Sequence, residues 1–132
     1  MPERYLFEYA VIRVVPHVER EEFLNVGIIL YCAGQKFLNA RYELDQVRLR
    51  VLCDKLDFDE LQEYISSFDK ICRGGDDAGP IGKLSMPERF RWLTSERSTI
   101  LQTSKVHPGL CIDADEMLQR LFDQLVARHE KQ

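Results

Sequence analysis

Tyr5-Leu6-Phe7-Glu8-Tyr9-Ala10-Val11-Ile12-Arg13-Val14-Val15-Pro16 is the stretch whose pattern decides the fold. Tyr5, Phe7, Tyr9, Val11, Arg13 and Val15 share one parity, while Leu6, Ala10, Ile12 and Val14 fill most of the other. Apolar content on both faces, with β-branched residues at the end, predicts a central strand. Pro16 stops it, because proline has no N–H to give a ladder. Asn25 to Cys32 is again apolar on both parities, Ala33-Gly34-Gln35 makes a short turn, and Lys36 to Tyr42 makes a third strand. The three are expected to form an antiparallel meander, with a long charged loop from Pro16 to Phe23.

Helical spacing takes over further along. Asp57 followed by Glu60 has the form of an N-cap with a reciprocal acid at N3. Behind it, Phe58, Leu61, Tyr64, Ile65, Phe68, Ile71 and Cys72 recur at three- and four-residue steps until Gly74-Gly75. A shorter helix is expected from Leu44 to about Cys53. Asp76 to Lys83 reads as a mobile loop. Met86 to Thr94 reads as one or two helical turns with Pro87 at the start, and Ser98 to Ser104 as a fourth strand. Asp113 caps a last helix, with Glu116 three residues on and Met117, Leu118, Leu121, Phe122, Leu125 and Val126 along its apolar face. The expected architecture is α+β: a three-stranded meander plus one later strand, packed by helices on one side, in a single domain over residues 1–132.

The 132 residues are 45% hydrophobic and 30% charged, enough apolar material for a core, which excludes a disordered chain or a disulfide-stapled miniprotein. The net charge of −4 counts against a general nucleic-acid coat, so nucleic acid is not an expected partner. That total averages unlike segments: residues 57–79 carry −5, and residues 80–112 carry +3. Arg89, Arg91 and Arg97 fall within nine residues of the basic segment. They can present forked donors to a phosphate or carboxylate, or form surface pairs with the acidic helix. No secretory signal or membrane-length apolar run is evident, and a cytoplasmic location is expected. Cys32, Cys53, Cys72 and Cys111 lack zinc spacing and are expected as free, partly buried thiols.

No phosphate loop, dinucleotide fingerprint, metalloprotease helix or nucleophile elbow is present, so the reading leans away from an enzyme and implies no cofactor. Gly74-Gly75, Gly79 and Gly82 are interrupted by Asp76-Asp77, whose charges would repel a phosphate. His17, His107 and His129 are scattered, and no metal is expected. His107 and Cys111 are near enough in sequence to be weighed as a catalytic pair, but nothing supplies the orienting third group.

Two places concentrate polar chemistry. In the first, Arg20, Glu22 and Asn25 lie where a loop meets an apolar strand, and Arg13 shares the parity of Phe7, Tyr9 and Val11. A guanidinium on an apolar face demands a carboxylate or several carbonyls, with Glu22 or Glu8 the natural partner. The structural alternative is a salt bridge, with Asn25 tying down the loop and Gly27 thinning the strand where another element crosses. The second place is Phe90-Arg91-Trp92-Leu93-Thr94 with Arg97-Ser98-Thr99, where Trp92 is expected to pack on the core. If the two meet, Arg20, Asn25, Arg91, Arg97 and Ser98 would form a pocket for a small anionic ligand.

Tyr9 to Pro16, Arg20 to Leu30, Phe90 to Thr94 and Arg97 to Thr99, together with the helix from Asp113, resemble a bacterial family catalogued as domain of unknown function 3037. The resemblance spans nearly the whole chain and implies no catalytic residue. Genes of such families often lie beside those of HipA-like protein kinases. The resemblance therefore implies an accessory or protein-interaction role, with a HipA-like kinase as candidate partner in a toxin–antitoxin-like module. The rival expectation is a small anion- or nucleotide-binding protein, or an enzyme on a phosphorylated substrate, acting through the Arg/Asn pocket.

Overall fold

The opening run becomes β1 (Tyr5–Val14), and the meander continues through β2 (Leu24–Cys32) and β3 (Phe37–Tyr42). Then follow α1 (Gln46–Leu52), α2 (Phe58–Arg73), α3 (Gly79–Gly82), α4 (Met86–Leu93), β4 (Leu101–Thr103), β5 (His107–Cys111) and α5 (Ala114–Leu125). This is a computed structural model, and it describes residues 2–127. The architecture is α+β. The antiparallel sheet runs β3-β2-β1-β4, with β5 also on β1, so β1 is central as its two apolar faces require. None of the helices among the described residues is long and apolar enough to cross a membrane.

The Ser98 to Ser104 stretch yields only three residues of strand, and a further strand follows that the sequence pattern does not announce. Leu101–Thr103 pairs with Val14 to Ile12, and His107–Cys111 pairs with Tyr9 to Tyr5. The two therefore act as one interrupted strand along a single edge of β1. Ser104 fills the interruption. Its backbone N–H donates to Val11 O at 2.8 Å, and its Oγ accepts from Val11 N at 2.8 Å. Ser104 is buried, and its hydroxyl donates onward to Lys105 O at 2.9 Å. A Ser104→Ala substitution strands the Val11 N–H in the middle of the sheet, so a loss of about 2 kcal/mol is expected in urea unfolding. An unchanged unfolding midpoint would show that this bond is dispensable.

Along β1 the even-numbered side chains from Ala10 to Val14 face one core, and the odd-numbered ones from Tyr5 to Val11 face a second. Ala10, Ile12 and Val14 pack with Leu49 of α1, Leu61, Ile65 and Phe68 of α2, and Phe90 and Leu93 of α4. Phe7 and Val11 pack with Ile28, Leu30, Cys32 and Leu118 of α5. Helices thus cover both faces, not the single side expected. The double-sided apolar pattern of β1 has this as its direct consequence.

The caps explain the helix boundaries. The Asp57 side chain accepts from Glu60 N, and Asp113 accepts from Asp115 N and Glu116 N. Glu60 takes the Tyr64 hydroxyl instead of reaching back to the cap. Ser85 and Glu88 form a full capping box at α4. The stretch expected as a mobile loop is a 3-10 turn over Asp76–Ala78 followed by α3. It is drawn tight where a Cβ on Gly82 would lie 2.3 Å from the Ala78 Cβ.

Candidate functional site

The sheet register decides where the polar residues go. Ile12 pairs with Gly27, but Arg13 pairs with Asn25, so Val26 is the extra residue of a β-bulge. Beyond the bulge the parity of β2 is reversed, as bulges do when they re-aim a side chain. Asn25 therefore lies on the α5 side, where its Nδ2 donates to Leu125 O at 3.2 Å. Arg48 donates to Val126 O at 3.2 Å, so the two side chains clamp the carbonyl end of α5. Asn25 ties down a helix end, not the charged loop.

Arg20 follows a separate course. It lies in an exposed 3-10 turn, and its Nε and Nη2 donate to the two carboxylate oxygens of Glu22 at 2.9 and 3.4 Å. This pairing raises the Arg20 pKa and lowers that of Glu22. Glu22 is thus taken by Arg20, and Arg13 meets its burial differently: its guanidinium carbon stands 4.1 Å from the centre of the Phe23 ring. An aromatic face stands where a carboxylate partner was expected, while the buried Arg13 Nε has no hydrogen-bond partner among the described residues. Gly27 faces Tyr42 and Arg41 of β3, so the element that comes close is the neighbouring strand and not a crossing segment. Arg20 and Glu22 line an open hollow of about 600 Å³ beside Val47 and Val51 of α1. Arg91, Arg97 and Ser98 line none of it.

Arg97 belongs to another place. Beyond the end of α4 it doubles back, with Nη1 donating to Leu93 O at 3.3 Å and Nη2 donating to Trp92 O. Its guanidinium carbon lies 4.3 Å from the centre of the Trp92 ring. A cation capping the last carbonyls suits the negative end of a helix. Trp92 was expected in the core; 40% of it is exposed, because it lies on the outer side of α4 while Phe90 and Leu93 turn inward. Tyr64 of α2, 42% exposed, stands opposite. Between them lies a cleft of about 170 Å³, with Phe68, Ile71, Leu93 and Leu101 as its apolar lining and Ser67, Thr99 and Arg97 as its polar groups. Arg91 and Ser98 are exposed on the same α4–β4 segment but do not line it. The five residues expected to share an anion pocket are thus divided between the α5 clamp, the Arg20–Glu22 pair and the cleft segment.

The sequence reading missed Tyr64 and Ser67 because it assigned α2 a single buried stripe. A legible signal was Tyr64 at the margin of that stripe, with the only tryptophan of the chain in the next long helix.

Nucleophilic chemistry has little to build on. Burial pushes the Cys72 thiol up to about 12, and burial with the neighbouring Cys32 thiol pushes Cys111 up to about 11. Neither is a thiolate near neutral pH. The Cys111–His107 pairing fails on geometry. Four residues along a strand separate their Cα atoms by ~13 Å, and the His107 ring packs on Tyr9 with centroids 5.3 Å apart. All four cysteines are free, as expected. Among the described residues no His, Cys, Asp and Glu side chains cluster to hold a metal ion, and His129 lies outside those residues.

No curated protein and no solved structure matches the chain. Residues 9–126 match the model of the family described as protein of unknown function (DUF3037), and the chain belongs to that family.

Proposed function

We propose that the protein is a bacterial cytoplasmic accessory protein that works by binding another protein, through the cleft between α2 and α4. The single observation carrying this reading is the company Trp92 keeps. Trp, Tyr and Arg dominate the energetics of protein interfaces, and here all three rim one apolar cleft. Trp92 is 40% exposed yet held by Arg97, so little side-chain freedom is left to lose on binding. The candidate partner is a HipA-like kinase, which enters only through what the family resemblance implies.

The test is co-expression with a HipA-like kinase, followed by size-exclusion chromatography and calorimetry. A defined complex at micromolar concentration is expected. Trp92→Ala should weaken it about 30-fold, the loss of one interface anchor worth about 2 kcal/mol. Two separate peaks would dismiss the kinase as partner. A complex indifferent to Trp92→Ala would dismiss the cleft.

A further inference from the structure

Resting on that reading of the cleft, we propose that its occupant is a partner peptide segment presenting an apolar side chain beside an aspartate or glutamate, whose carboxylate pairs with Arg97. The volume of about 170 Å³ suits one large side chain, and the lining of Phe68, Ile71, Leu93 and Leu101 asks that it be apolar.

Arg97 supplies the second half of the recognition. Two of its N–H groups are spent on Leu93 O and Trp92 O, which fix the plane of the guanidinium against the indole. A guanidinium has five such donors, so the fork keeps capacity for a carboxylate. Among the described residues the ion pairs are Arg20–Glu22, Arg41–Asp115 and Arg73–Asp69, and none engages Arg97. Burial lowers the Arg97 pKa. A half-buried cation without a carboxylate gains most from a partner that brings one.

The surroundings discriminate between anions. α2, which forms one wall, carries a net charge of −2 over Phe58–Arg73, which disfavours a polyanion such as nucleic acid. A single carboxylate seated on Arg97 avoids most of that repulsion.

Trp92 is the only tryptophan, so its fluorescence and its one indole N–H resonance report on the cleft alone. The probes are acetyl-Leu-Phe-Glu-Leu-amide, its Gln counterpart, and 4-phenylbutyrate. The Glu peptide is expected to shift the indole resonance saturably and to bind about tenfold tighter than the Gln peptide. Arg97→Gln should make the two peptides equal, and Arg97→Lys should restore part of the difference. Equal binding of both peptides to the unaltered protein overturns the proposal, and that comparison needs no variant to fold. Binding of phenylbutyrate with neither peptide would assign the cleft to a small free acid and also overturn it, as would no saturable shift with any probe. A kinase complex that needs Trp92 but shows no Glu-over-Gln preference would leave the interaction reading standing and remove only this one. A Glu-over-Gln preference without a kinase complex would support this proposal and dismiss only the kinase as partner.

Discussion

Leu118→Ala is expected to destabilise the protein by about 4 kcal/mol, in the upper half of the 2–5 range for such truncations. Leu118 is fully buried among Phe7, Val11, Ile28 and Leu30. The loss depends on whether the helix can settle into the space left behind, and α5 is pinned at both ends. At its start Gln35 donates to Ile112 O at 2.6 Å and accepts from Ala114 N at 2.8 Å, while Arg41 pairs with Asp115 at 2.9 Å. At its end Asn25 and Arg48 hold the Leu125 and Val126 carbonyls. A helix so held cannot collapse inward, and most of the cavity persists. Against a typical total stability of about 5–15 kcal/mol this is a large share. Chemical denaturation measures it, with Leu110→Ala, at a site 58% exposed, as the control expected within about 0.5 kcal/mol of the parent. A Leu118→Ala loss below 1 kcal/mol would mean that α5 is far less firmly seated.

Gly27→Val is the second large effect, with an expected loss of about 3 kcal/mol. A Cβ at this position would lie 2.6 Å from Arg41 O, 2.8 Å from the Tyr42 Cβ and 3.1 Å from the Ile12 Cδ1. The first two atoms belong to the backbone and the root of a side chain on β3, so no rotamer change clears them. The β2–β3 ladder has to move, and overpacking of this kind reaches the top of the usual 1–3 range. A non-glycine residue gains back only about 0.4–1 kcal/mol by restricting the unfolded chain, too little to reverse the sign. Thermal melting and amide exchange at Tyr42 and Glu43 read the effect. Unchanged exchange at both would show that β3 absorbs the side chain without shifting.

Much of the fold was legible because its signals are local. The period-two run of Tyr5 to Val15, the Asp57 and Asp113 caps and the double-sided apolar pattern lead to β1, α2 and α5 within a residue or two of their observed bounds. The missing strand had no such signal: His107–Cys111 contains Pro108 and Gly109, which propensity sets against a strand. It exists because Gly109 leaves room for the Phe7 ring, 2.5 Å from where its Cβ would be. The candidate site was harder still. The Val26 bulge, invisible in the amino-acid pattern, turns Asn25 to the opposite face from Arg97. The chemistry of Arg97 is readable from its residue type, but its stacking on Trp92 depends on the chain doubling back after α4. Residue type shows what chemistry is on offer, and a single extra residue in a ladder decides where it is delivered.

The interrupted strand opposite β1 also sets an order of events in time. β1 is the first element of the chain, yet one of its edges is closed only by residues 101–111, and the Val11 amide waits for a hydroxyl 93 positions later. Closing so long a loop is slow relative to forming the β1–β2 hairpin. While the chain is being synthesised, the apolar β1 therefore presents an open edge until residues 101–111 have emerged, the condition under which strands pair with the wrong neighbour. The Ser104 contact thus marks the moment at which that exposure ends.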